Sequence, residues 1–271
     1  MEDITQSLRK QFKAHYYMNN KHNIIGIDLS LKSTGITIYN PIDNKIIFGN
    51  IVNNKFSDKH RFQNINYIKY NDKPSNFNYT TSLKNNSEYS VYEANQSLKI
   101  MMCVKSIMMV LINQLSKTNH NVIVFESHLL PQVLGSKQFR GLSHLIALQH
   151  MVRENIIAYS IKENISIEFC FFSPSEVKSL FCGNGKADKS EMIDMFIKEY
   201  DGNRLIPDIS KRDLNEVIVY LNDIVDSFGL ICCYLIRYYD IFEIKKKKPK
   251  IKKQKSKTEN TFKDNLINSI I

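Results

Sequence analysis

The chain has 271 residues, 43% of them hydrophobic, and 37 Lys and Arg against 27 Asp and Glu give it a formal net charge of +10. That length and apolar content suit one sizeable core, most simply a single domain with insertions and a tail, though length alone does not exclude two. No apolar run of about 18 residues or more is visible, so no spanning helix and no membrane partner are expected. The five cysteines, odd in number and with no C-x-x-C pair or histidines at zinc spacing, read as reduced core thiols.

The charge is unevenly spread. Residues 244–271 hold ten lysines against Glu259 and Asp264, so most of the excess lies there and residues 1–243 are close to neutral. Bulk charge therefore does not make the body a polyanion binder; local patches must do so.

Residues 1–22 carry Arg9, Lys10, Lys13 and Lys21 and read as an N-terminal arm, the early Glu2 and Asp3 arguing against a targeting presequence. At Ile24-Ile25-Gly26-Ile27-Asp28 the pattern becomes a short apolar strand ending in an acid. Thr34–Tyr39 alternates, and Lys45–Val52 follows the turn Asn40-Pro41-Ile42-Asp43-Asn44, giving three antiparallel strands. Residues 53–93, rich in Asn, Lys, Ser and Tyr without clear period, read as an insertion or long loop.

A helix is expected over Ala94–Leu115, with Met101, Met102, Met108 and Met109 in the core. Asn121–Glu126 is a buried strand that again ends in an acid; Gly141–Ile161 reads as helix and Ile165–Phe172 as strand. Ser173-Pro174-Ser175-Glu176 has an N-cap, a proline at the first helical position and a capping-box glutamate. Cys182-Gly183-Asn184-Gly185 breaks that helix, another follows over Asp188–Tyr200, and a buried helix is expected over Asp223–Phe242. The lysine tail over 244–271 reads as disordered.

Asp28 and Glu126 sit at the polar ends of two apolar strands, and if these are neighbours both project into one crevice. Asp223 and Asp226, three apart on a helix, share a face. Singly, each has a bland explanation: a turn or cap residue, with Asp223 favoured by the positive end of its helix. Together they are more telling. Clustered carboxylates repel unless a cation neutralises them, and hard oxygen donors suit Mg²⁺ or Mn²⁺. Two such ions roughly 4 Å apart would serve an in-line phosphoryl displacement, with Asp28 as bridging ligand.

These residues resemble the RuvC-type Holliday-junction resolvases, a branch of the RNase H-like fold, in the flavour found in phages and large DNA viruses. The matching segments, in order, are Gly26-Ile27-Asp28-Leu29-Ser30 with Ser33-Thr34-Gly35, Val124-Phe125-Glu126, Ser173 through Lys189, and Asp223-Ile224-Val225-Asp226-Ser227. The resemblance implies an α/β RNase H-like fold over residues 23–243, a mixed five-stranded sheet of three antiparallel strands then two further strands, with helices on both faces. It implies Asp28, Glu126, Asp223 and Asp226 as catalytic metal ligands, and Lys178 and Lys189 near the scissile phosphate, Lys189 with a catalytic role. Solvated surface is the bland reading of those lysines.

Gly183, Gly185 and Lys186 read as a loop that approaches DNA phosphates, since Gly183-Asn184-Gly185-Lys186-Ala187 lacks the spacing and hydroxyl of a nucleotide-binding P-loop. The family's stacking aromatic, three residues after the glutamate, is Leu129 here, with Phe139 and His128 as substitutes. A homodimer is implied through the helix after Glu126, by Leu145, Leu148, Val152 and Ile156, unless these are buried against the chain's own sheet.

The expectation is a Mg²⁺-dependent, structure-selective DNA endonuclease with two ions per site and Mn²⁺ as substitute. It would resolve four-way junctions and other branched DNA in recombination and repair, without a small-molecule cofactor. A noncatalytic branched-DNA binding factor on the same fold is one alternative. An actin-like ATPase is another, though a second phosphate loop is missing. An intracellular location is expected, cytoplasm or nucleus, with 245–257 read as a nuclear localisation signal, a DNA tether or a solubilising end.

Overall fold

The computed structural model describes residues 22–42, 45–53, 55–71, 87–117, 119–127 and 136–239. The N-terminal arm before His22, the lysine tail, His128, Leu129 and the Phe139 side chain lie outside the described residues.

Six strands form one sheet in the order β4-β3-β2-β1-β5-β6, with β1 Asn23–Asp28, β2 Ser33–Asn40, β3 Lys45–Asn53, β4 Ile65–Tyr70, β5 Asn121–Glu126 and β6 Ile167–Phe172. β1, β2 and β3 form the expected antiparallel meander. β5 lies parallel to β1, with Phe125 level with Ile27, and β6 lies parallel to β5. The central strands β1 and β5 are buried nearly end to end, which is why Ile24-Ile25-Gly26-Ile27 and Val122-Ile123-Val124-Phe125 are continuous apolar runs.

The sixth strand, β4, lies parallel to β3 inside the segment read as a long loop, so the sheet has six strands where five were expected. Ile65-Asn66-Tyr67-Ile68-Lys69-Tyr70 buries Ile65 and Tyr70 but exposes Asn66 and Lys69, a pattern too short to stand out among its polar neighbours.

Helices cover both faces. α1 (Ser87–Ile112) and α2 (Ser136–Glu163) share one face, where Ile107, Leu111, Leu148, Val152 and Ile156 pack on Ile25, Ile27, Ile123 and Phe125. α3 (Pro174–Cys182), α4 (Lys189–Glu199), the short α5 (Gly202–Leu205) and α6 (Leu214–Tyr239) follow β6. On the other face Val177, Phe181, Phe196 and the apolar side of α6 pack on Ile24, Phe48, Val122 and Val124. The capping box predicted at Ser173 and Glu176 is present, and Asp188 with Glu191 forms a second one at the start of α4.

Of the two readings left open for Leu148, Val152 and Ile156, the structure shows burial in the chain's own core, where Leu145 is partly buried too. Several other expectations are corrected. Met108 is buried, but Met101 and Met109 are 44% and 57% exposed, because they lie on the outer side of α1. Two helical stretches, Tyr92–Ile112 and Leu214–Tyr238, are apolar enough on average to span a bilayer, although polar residues interrupt each run; within the second, 72% of an 18-residue apolar window is buried in the protein, as befits a core helix. The last helix begins at Leu214, not Asp223. Asp213 starts it, its Oδ1 accepting from the Asn215 N–H at 2.8 Å and its carbonyl from the Val217 N–H at 3.0 Å. Asp223 and Asp226 therefore stand in mid-helix, beyond the reach of the positive helix end.

Two glycines let α6 lie against the sheet backbone. A Cβ on Gly35 would stand 1.9 Å from the Asp223 carbonyl oxygen, and one on Gly26 would stand 2.1 Å from that of Ser227. Any side chain at either position forces helix and sheet apart. Beside this contact the buried hydroxyls of Thr37 and Ser227 share a 2.7 Å hydrogen bond.

Gly35→Ala is expected to destabilise the protein by more than about 3 kcal/mol in denaturant titration. Gly49→Ala, whose added methyl would meet nothing closer than Ile36 Cβ at 3.7 Å, should change stability by less than about 1 kcal/mol. Equal costs would refute the close-contact role of Gly35.

Candidate active site

Asp28 ends β1 and Glu126 ends β5, and the parallel pairing of these strands brings the two ends level. Alternation along the strands turns both acids toward the α6 face, where Ile24, Val122 and Val124 also point. Asp28 pairs across β1 and β2 with Gly35, over which the Asp223 carbonyl sits. One helical turn on, Asp226 lies with Asp28, Glu126 and Lys178 in the wall of a single cleft, closed by Val177, Met192 and Leu230. All four carboxylates are partly exposed, at the mouth of the core.

Their electrostatics show how crowded they are. Burial raises the Asp28 carboxyl well above its ordinary range, and Asp226, Asp223 and Glu126 raise it further, with Lys189 opposing. Asp226 is pushed up to about 7 by burial, then by Glu126 and Asp223, against Lys189 and a hydrogen bond from Asn222. Burial also raises Glu126, which Lys178 partly offsets, and Asp223, which Ser33, Asn222 and Lys189 partly offset. Four mutually repelling acids thus have few positive neighbours.

Those acids fit a hard dication in donor chemistry, being all oxygen and in need of positive charge. They do not form a ready coordination shell: among the described residues no three Asp, Glu, His or Cys side chains are grouped closely enough to hold an ion. What the structure supplies is a shared negative pocket.

The lysines and glycines sort differently. Lys178, on α3, faces the cleft beside Glu126, and Lys189, the first residue of α4, is exposed and acts on three of the acids. Gly183 ends α3 with φ 70°, a left-handed backbone that by itself explains the glycine. At Gly185 a Cβ would stand 3.1 Å from the Ser175 carbonyl, so helix packing already restricts the position. Lys186 is exposed on this loop, and its N–H donates to Asn184 Oδ1 at 3.1 Å.

Other polar residues support the site and escaped the sequence reading. Asn222 Nδ2 donates to Asp226 Oδ2 at 2.8 Å and to Asp223 Oδ1 at 3.5 Å. Buried Gln149 donates to the Glu126 carbonyl at 2.9 Å, and the Ser127 N–H donates to the Phe172 carbonyl at 2.7 Å, together fixing the end of β5. The position of Asn222 beside Asp223 was the one signal available for these residues.

Raised carboxyls give the protein without bound cations a definite pH dependence. Native Asp226 keeps its proton to about pH 7, whereas the unfolded chain releases it near 3.8, so the native state binds more protons between these values. Stability therefore falls as pH rises through that interval and levels off above it. In chelator, Tm should drop from pH 5 to pH 8 more steeply for the wild type than for Asp226→Asn; parallel profiles would contradict the assignment.

No family model matches the chain, and no curated protein matches it in sequence. Solved structures do resemble it. Thermus thermophilus RuvC is 10% identical, with a TM-score of 0.35, over 76% of this chain and 93% of that one. T. thermophilus RuvC in complex with a Holliday junction substrate is 8% identical, with a TM-score of 0.38, over 78% and 91%. The yeast mitochondrial Holliday junction resolvase Ydc2 is 14% identical, with a TM-score of 0.40, over 86% and 87%. Likeness at this level is one of chain path, and the functional argument rests on the site.

Proposed function

We propose that the chain is a structure-selective DNA endonuclease that resolves four-way junctions, and other branched DNA, by metal-dependent phosphodiester hydrolysis. The observation that carries this reading is the meeting of Asp28, Glu126 and Asp226 in one cleft, with Asp223 one helical turn from Asp226: burial raises all four carboxyls, and the neighbouring acids raise Asp28 and Asp226 further. A protein that only binds DNA gains nothing from four acids turned toward phosphate. One that gathers Mg²⁺ there does.

In this reading the four carboxylates hold two Mg²⁺ ions, for which Mn²⁺ can substitute. Bound there, the ions would lower the pKa of a water and offset negative charge on the reacting oxygens. The protein's own groups hold the phosphate in place. Lys189, at the first turn of α4, offsets the charge that builds on the non-bridging oxygens, where the helix start adds positive potential. Lys178 lines the cleft beside Glu126. Lys186 and the backbone at Gly183 and Gly185 then lie where a neighbouring phosphate of the same strand can contact them. Symmetric nicking of a junction calls for two such sites, so a homodimer belongs to the proposal.

The test is incubation of the full chain with synthetic four-way, three-way and linear duplex DNA in Mg²⁺. Nicking of the branched substrates is expected. Asp28→Asn should slow it by roughly a thousandfold or more while leaving junction binding in place. Lys189→Ala should lower kcat about a hundredfold with little change in KM. Tight junction binding without nicking in either Mg²⁺ or Mn²⁺ would favour a noncatalytic binding factor, and ATP hydrolysis would favour the actin-like alternative.

A further inference from the structure

The two phenylalanines that end β6 each lie under an arginine, on opposite faces of the sheet. Phe172 faces the α6 side, where the Arg237 guanidinium lies 5.0 Å from its ring centroid and pairs with Glu176. Phe171 faces the α2 side and is 38% exposed, with the Arg153 guanidinium 5.4 Å from its ring centroid.

Arg153 has no counter-charge. Among the arginines whose side chains are described, Arg61, Arg204, Arg212 and Arg237 each pair with a carboxylate, and Arg153 pairs with none. Its Nη2 lies 2.9 Å from Nδ1 of the exposed His150, and its Nε is buried with no hydrogen-bond partner. A side chain that merely covered Phe171 would leave its whole charged head in water. A guanidinium stays charged at every physiological pH, so a half-buried one with an unpaired N–H is costly until an anion completes it.

The position of Arg153 indicates which anion. Phe171 is paired with Phe125 and its ring stacks on that of Phe125 at 5.9 Å; Glu126 is the next residue. Gln149, which donates to the Glu126 carbonyl, lies one turn before Arg153 on the same face of α2. Arg153 thus stands about 5 Å, one helical turn, from the level of Glu126, beside the last strand of the sheet. Successive phosphates of one duplex strand advance about 3.4 Å along the helix axis, so a strand engaged at the cleft has further phosphates at this spacing.

We infer that Arg153 and His150, on the Phe171 platform, form a binding site for a backbone phosphate of the DNA engaged at the carboxylate cleft. A planar guanidinium stacked on a ring keeps its N–H edges clear of that ring, the arrangement that takes a phosphate by two parallel hydrogen bonds. A short slide along the ring face brings Nε outward, where a phosphate supplies acceptor and counter-charge together. The inference rests on the proposal that the cleft engages DNA, but not on the chemistry of the carboxylates. The rival occupant is a carboxylate of a partner protein, since Ile157, one turn further along α2, is 46% exposed.

Binding of the full chain to a four-way junction is measured over a range of salt concentrations, in the Asp28→Asn background so that the DNA stays whole. Arg153→Gln should weaken binding about tenfold at low salt and reduce the slope of log affinity against log salt by about one. Arg153→Lys, which keeps the charge without the planar fork, should restore the slope but only part of the affinity. The Tm of Arg153→Gln should hold or rise, because an uncompensated charge is removed; a merely structural arginine would lower it. With native Asp28, Arg153→Gln should raise KM for nicking and leave kcat unchanged.

An unchanged salt slope overturns the inference. So does a loss of self-association by Arg153→Gln in sedimentation, which would assign the side chain to a protein interface. Were the wild type to bind junctions without nicking them, the nuclease reading would fail while the slope comparison still decided Arg153. Were it to nick, with Arg153→Gln binding alike at every salt concentration, only the phosphate site would fall. No DNA binding by the wild type would overturn both.

Discussion

The backbone contact between α6 and the sheet sets the position of everything in the site. Gly26 and Gly35 have no side chains to hold the helix away, and the carbonyls of Ser227 and Asp223 fill the space a methyl would take. Ordinary packing of a helix on a sheet leaves side chains between the two. Here the acids on α6 instead reach the level of Asp28 and Glu126, whose own height is fixed by the parallel pairing of β1 and β5. Backbone proximity thus turns acids far apart in sequence into one charged pocket.

That pocket conflicts with the stability of the fold around it. Burial raises every carboxyl there, like charge raises Asp28 and Asp226 further, and the opposing groups are Lys178, Lys189 and the hydrogen bonds of Asn222. Local strain of this kind is characteristic of sites whose charge is completed by something they bind. Under the proposed function, the same crowding that disfavours the empty state would give a dication its affinity. Binding and folding would then be linked, a bound ion stabilising the native chain in proportion to the repulsion it removes.

Much of this was legible in the sequence, for reasons specific to each residue. Asp28 and Glu126 stood out because an acid after four buried apolar residues marks a strand leaving the core. Ser173, Pro174 and Glu176 marked a helix start through local capping chemistry alone. Local signals failed where structure depends on distant partners. β4 is stabilised by β3, not by its own pattern. The start of α6 was displaced to Asp223 because Asn215, Glu216 and Asn222 dilute its first turns, although Val217 and Leu221 are buried there. Leu148, Val152 and Ile156 have the same spacing whether they face a partner or their own sheet, and only the packed chain separates the two. The meeting of Arg153 with Phe171 depends on how α2 lies against β6, which no local pattern encodes.

The glycine contact also divides α6 into parts that differ in tolerance to changes of length. Residues added to or removed from the stretch before Leu214 shift the approach to the helix while leaving the phase of the segment that crosses the sheet untouched. A single residue inserted between Ile224 and Asp226 rotates everything beyond it by about 100°. Asp223 and Asp226 would then face different directions, and Ser227 would leave Thr37 and Gly26. The five residues from Asp223 to Ser227 must therefore keep their spacing, whereas a change of length before Leu214 leaves them in place.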